Sequence, residues 1–162
     1  MIARGAASVI LAGALLLGTT GCTFFANQAT RIEYNPSDGI LVKLGDVRVL
    51  NAIALTADGR DVSLLFTASN SSTTEQTLLV QVEVDGKKVD RSIRVPANGS
   101  TSVGDRGDST LIFTDVNVQL GSVLPVYFKS SGTQGELSLV PILDGATGVY
   151  GDLLPPLRPA AE

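Results

Sequence analysis

The stretch from Leu78 to Val95 limits the fold more than any other part of the chain. Leu78, Val80, Val82 and Val84 share one face at period two, and Gln81 and Glu83 point the other way. That alternation is the mark of a half-buried strand. Asp85-Gly86 follows, a dipeptide that supplies the left-handed backbone of a tight hairpin turn. On the return, Val89, Ile93 and Val95 fall on one face, with Lys88, Asp90, Ser92 and Arg94 opposite.

The same grammar runs from Asp46 to Asp144. Strands are predicted over Val47–Thr56, Val62–Ser69, Leu78–Val84 and its return, Thr101–Val103, Thr110–Val118, Val123–Lys129 and Glu136–Leu143. Asn70–Thr74, Pro96–Ser100 and Gly104–Ser109 supply turns and loops between them. Pro125 interrupts one strand and marks an edge or a bulge. No long run of apolar residues falls at helical spacing. About eight short strands at this spacing predict an all-β, two-sheet antiparallel sandwich over residues 40–145. Residues 22–39, rich in Asn, Gln, Thr, Ser and Pro, read as a tether. Residues 146–162 carry Pro155, Pro156 and Pro159 and read as an irregular, extended or disordered tail.

The N-terminus reads as an address. Arg4 precedes an apolar run from Ala6 to Leu17, and small residues lead to Cys22, the only cysteine. The run is about twelve residues, roughly 18 Å as a helix, against the ~30 Å of a bilayer core. It therefore suits a cleaved secretory signal over residues 1–21 better than a transmembrane span. Gly21-Cys22, preceded by Thr19 and Thr20, resembles the processing site of bacterial lipoproteins, with Thr19 standing where that family usually has leucine. The resemblance implies lipidation of Cys22 and anchoring on the extracytoplasmic face of the cell membrane, for which two acyl chains suffice. Phe24 and Phe25 suit either the membrane interface or the base of the domain.

The remaining chemistry is sparse. There is no histidine and no tryptophan, and the only methionine is Met1. Ser-His-Asp and Cys-His catalysis are excluded, as are zinc sites built from His and Cys and copper sites built from His, Cys or Met. No phosphate-cradling glycine loop is present. The formal net charge is −4, with no basic patch for nucleic acid. Asp58 and Asp61, and again Asp105 and Asp108, flank turns, but their spacing does not match a calcium loop, and they read as turn residues. No carboxylate pair is marked out for glycoside hydrolysis. Arg106-Gly107-Asp108 reads as an exposed loop, and Lys87 and Lys88 as solubilising charges at a hairpin tip.

Two stretches carry a further resemblance. Ile32–Gly39 followed by Leu44–Asn51 is similar to the start of actinobacterial LpqE-type lipoproteins, in which a Tyr-x-Pro-x-Asp-Gly run precedes the first strand. Leu120–Phe128 with Leu139–Ile142 resembles the end of PCuAC-type periplasmic copper chaperones, to which the LpqE group is loosely similar. The resemblance implies an immunoglobulin- or cupredoxin-like sandwich. It implies a membrane-protein partner, the respiratory supercomplex, and no catalytic residue. It carries over no copper ligand, because PCuAC-type proteins use His and Met and the comparable region, Asp108–Ile112, has neither. The expected function is a non-catalytic, lipid-anchored binding or accessory module without a cofactor. The alternative is a copper-chaperone-related metal carrier that has lost or replaced its usual ligands.

Overall fold

The Asp85-Gly86 turn forms as its sequence requires. Both residues hold left-handed backbone, with φ of 48° and 73°, the requirement of a two-residue hairpin whose twist matches its strands. It joins β4 (Gln76–Val84) to β5 (Lys87–Val95) in unbroken antiparallel register from Gln76↔Val95 to Val84↔Lys87. The computed structural model describes residues 37–104, 110–145 and 148–154, which lie within one compact unit, Asn35–Glu162. The other strands are β1 (Ile40–Leu44), β2 (Val47–Thr56), β3 (Val62–Asn70), β6 (Ser100–Val103), β7 (Leu111–Phe113), β8 (Val123–Ser130) and β9 (Glu136–Asp144).

The strands follow the order β5-β4-β8-β9-β2-β3-β6, with β1 added on β2 and β7 on β3. β9 joins the two halves. Its first part pairs antiparallel with β8, and Ile142–Asp144 then run parallel to Ala54–Thr56 of β2. This is the one parallel pairing among the described residues. The result is a single sheet curled into a sandwich. Leu78, Val80, Val82, Val126, Phe128 and Val140 from one half meet Val42, Val47, Val49, Val62, Leu64 and Phe66 from the other in one buried cluster. Phe66 and Phe128 meet edge to face across it, with ring centres 5.9 Å apart, a favoured aromatic geometry.

A bulge lets β2 serve two cores. Asn51 has φ of 52°, and the register of β2 shifts there against both β1 and β3. The extra residue swaps which side chains face inward. Val47 and Val49 face the main core before it, Ala52 and Ala54 after it. Ile53 and Leu55 are thereby turned to the opposite face, where they join Leu65 in a second cluster. A 3-10 helix, Gly148–Leu153, lies over that cluster, with Tyr150, Leu153, Leu154 and Leu143 packed against it.

Three parts differ from the sequence reading. The strand expected over Thr110–Val118 ends at Phe113. Beyond it Asp115 and Asn117 adopt left-handed backbone, with φ of 59° and 56°. The segment bonds instead to the β2–β3 loop: Asp115 N–H donates to Asp61 Oδ1 at 3.0 Å, Val116 N–H to the Arg60 carbonyl at 2.9 Å, and Val118 N–H to the Gly59 carbonyl at 2.6 Å. Ile40–Leu44 is a strand that the sequence reading did not single out. Over Gly148–Leu153 the expected extended tail is a 3-10 helix. The signal segment 1–21, Cys22, most of the tether and the prolines after Leu154 lie outside the described residues.

Candidate docking face

Alternation along β8 and β9 sends Leu124, Val126, Phe128, Ser138, Val140 and Ile142 inward, all of them buried. The same alternation sends Val123, Pro125, Tyr127, Leu137, Leu139 and Pro141 outward. These residues sit opposite one another in register as Val123↔Pro141, Pro125↔Leu139 and Tyr127↔Leu137. An outward face two strands wide is therefore apolar over three successive pairs. Leu137 is 66% exposed, Leu139 57% and Val123 49%. Burying a leucine is worth about 1.5–3 kcal/mol, so this cluster is a candidate contact surface. The neighbouring outer face of β4 and β5 is polar apart from Leu79, and Gln81 Nε2 donates there to Asp90 Oδ1 at 2.6 Å.

Pro125 opens a groove in this face. Ile142 N–H donates to the Ser122 carbonyl, so even-numbered residues of β8 bond toward β9 and odd-numbered ones toward β4. Pro125 has no N–H to offer β4. The β4–β8 ladder accordingly runs from Leu78↔Ser130 to Val82↔Val126 and stops. Pro125 thus marks the end of a ladder within an interior strand. The opening is a groove of about 600 Å³ lined by Gln81, Glu83, Lys88, Pro125, Tyr127 and Leu137. The Tyr127 ring lies over Gly135, where any Cβ would collide with it.

Apart from Pro125 and Lys88, the residues singled out from sequence lie elsewhere. Cys22, Thr19, Phe24, Phe25 and the Asp105–Asp108 loop are outside the described residues. Asp58 Oδ1 accepts the Arg60 N–H at 2.9 Å, an ordinary turn contact. Asp61 is buried and ties the β2–β3 loop to Asp115, and Arg60 Nε meets Asp115 Oδ1 at 3.2 Å. Lys87 and Lys88 are exposed on β5, Lys88 at the rim of the groove. Among the described residues no three His, Cys, Asp or Glu side chains converge on a point. At the far end, Tyr150 OH donates to Asp38 Oδ2 at 2.8 Å. That bond, with some burial, raises the tyrosine above its ordinary pKa of 10.0. The apolar face had one sequence signal that went unused. In Val123–Phe128 and Leu137–Leu143 both parities of the alternation are apolar, which a strand with one solvated face does not need.

No protein-family model matches this chain, and no curated protein matches it. A solved structure described as the apo PCuAC domain from PmoF1 superposes with a TM-score of 0.54 at 16% identity, over 64% of this chain and 98% of that one. The chain therefore has a PCuAC-like all-β sandwich fold and is distantly similar to sandwiches of that type.

Proposed function

We propose that this protein is a non-catalytic, lipid-anchored accessory module of the LpqE type. Cys22 carries the lipid on the extracytoplasmic face of the cell membrane, and the β8–β9 face docks a membrane-protein partner. The observation that carries the docking reading is the exposed apolar strip of Val123, Pro125, Tyr127, Leu137 and Leu139 beside the groove. Flat apolar faces with a polar border are what protein partners cover. A residue set with no histidine suits holding and positioning more than bond-making.

The test places a photo-reactive phenylalanine at position 127 and, as a control, at Ser92 on the polar face, in native membranes. A single membrane protein crosslinked from position 127 and absent from position 92 is the expected result. Equal or no crosslinking from the two positions would sink the docking reading. For the anchor, Cys22→Ser is expected to release the protein into the medium, and continued membrane retention would refute lipidation.

The fold likeness to a PCuAC domain favours one second reading, a copper-chaperone-related carrier with replaced ligands. Copper(I) favours thiolate, thioether and imidazole donors, and beyond Cys22 and Met1 the chain offers none. Titration of the mature protein with Cu(I) is expected to show no binding tighter than micromolar. Tighter binding would establish the carrier.

A further inference from the structure

The free edge of β9 carries the inference, through the direction of its backbone. Ile142 N–H donates to the Ser122 carbonyl on the β8 side, and Gly145 N–H donates to the Thr56 carbonyl on the β2 side. Backbone groups alternate sides along a strand, so even residues of β9 bond toward β8 and odd residues toward β2. The β2 pairing begins only at Ile142. Over Glu136–Pro141 the second edge of β9 has no strand partner among the described residues. The N–H and C=O of Leu137 and Leu139 therefore face outward from the sheet, and Pro141 offers a carbonyl alone. These two residues also have the most exposed large apolar side chains.

We infer that this edge pairs with the same edge of a second copy, antiparallel, about a two-fold axis at Ser138. That register sets Leu137 opposite Leu139 of the second copy and Leu139 opposite its Leu137. Each of the two facing pairs is then of the hydrogen-bonded kind and exchanges both bonds, so the free backbone groups of Leu137 and Leu139 are satisfied in both copies. The four leucines meet as cross-strand neighbours on the outer face. Glu136 stands opposite Val140, so no like charges face each other, and Pro141 ends the pairing symmetrically. The interface is isologous and closed. The two β5-β4-β8-β9 layers become one continuous sheet with a doubled apolar strip. An edge pair this short covers less than the ~1,200 Å² of a standard interface, so association is weak and shows at high concentration. The inference rests on the β9 backbone and stands apart from the docking reading.

The test uses the chain from residue 22 onward with Cys22→Ser, so that it carries no lipid and no native thiol. Sedimentation velocity from about 10 µM to about 1 mM is expected to shift toward the dimer. Leu139→Lys, which sets a charge on the paired edge, is expected to abolish the shift while circular dichroism stays that of the parent. Tyr127→Ala, in the groove, is expected to keep it. Register is read by cysteine crosslinking: a mixture of Leu137→Cys and Leu139→Cys proteins should form far more disulfide-linked dimer than either alone. A monomer at every concentration would overturn the inference, and so would a shift unchanged by Leu139→Lys or equal crosslinking in the single variants. An edge that pairs only with a strand of another protein would give the monomer.

Discussion

Asn70 shows how much of this fold one side chain can hold. Buried at the end of β3, it donates through Nδ2 to the carbonyls of Thr74 at 2.8 Å, Pro96 at 3.1 Å and Val95 at 3.3 Å. Its Oδ1 accepts from the Ser72 N–H and hydroxyl. The β3–β4 loop and the β5–β6 turn are fixed to each other through this residue. Removing it leaves the buried Val95 carbonyl without this donor and unties the two loops, so Asn70→Ala is expected to cost about 1–3 kcal/mol. The check is a shift of the urea midpoint at constant m-value. Ser63 is the opposite case: its hydroxyl is fully buried and has no hydrogen-bond partner among the described residues. An unpaired buried hydroxyl is a standing penalty. Ser63→Ala is therefore expected to leave stability unchanged or raise it by about 1 kcal/mol in the same assay.

At the scale of elements, strands were legible where a polar face alternates with an apolar one, and at turns whose residues dictate backbone shape. β4, β5 and the turn between them follow from Leu78–Val95 alone. The strand expected through Val118 failed because period two cannot see the β2–β3 loop, whose carbonyls and Asp61 claim the backbone after Phe113. The 3-10 helix was hidden for a related reason. Its worth lies in the face of β2 that the Asn51 bulge turns outward, and nothing local to residues 148–153 announces that face. The apolar strip left a trace in Val123–Phe128, but sequence does not say whether a second apolar face is covered or bare. The 3-10 helix also carries a pH dependence. Tyr150 donates to Asp38 only while protonated, and its folded pKa is raised above the unfolded value. The contact's stabilisation is thus complete below the ordinary tyrosine range, about 10, and is lost as pH rises through the raised value. The bond is solvent-exposed, so Tyr150→Phe is expected to cost no more than about 0.5 kcal/mol at neutral pH. The measurement is thermal unfolding across pH 8–12 (about the tyrosine range,), in which the parent and Tyr150→Phe should converge at the alkaline end.

For the molecule as a whole, the decisive element is β9, which belongs to both layers of the sandwich. Layers held together by side chains alone can part like the covers of a book, each keeping its own ladder. Here Val140 bonds into one layer, while Leu143 and Gly145, a few residues on, face the other, so parting them means breaking β9 itself. Stability should then be indivisible, with no sub-global opening that frees one layer first. Native-state hydrogen exchange is expected to give the same opening free energy for the amides of Val80 in β4, Leu64 in β3 and Ile142 in β9. A distinct, lower value for either flanking strand would show that the layers open separately. A domain built this way passes from folded to unfolded in one step, and tension applied at one layer reaches the other along the backbone of β9.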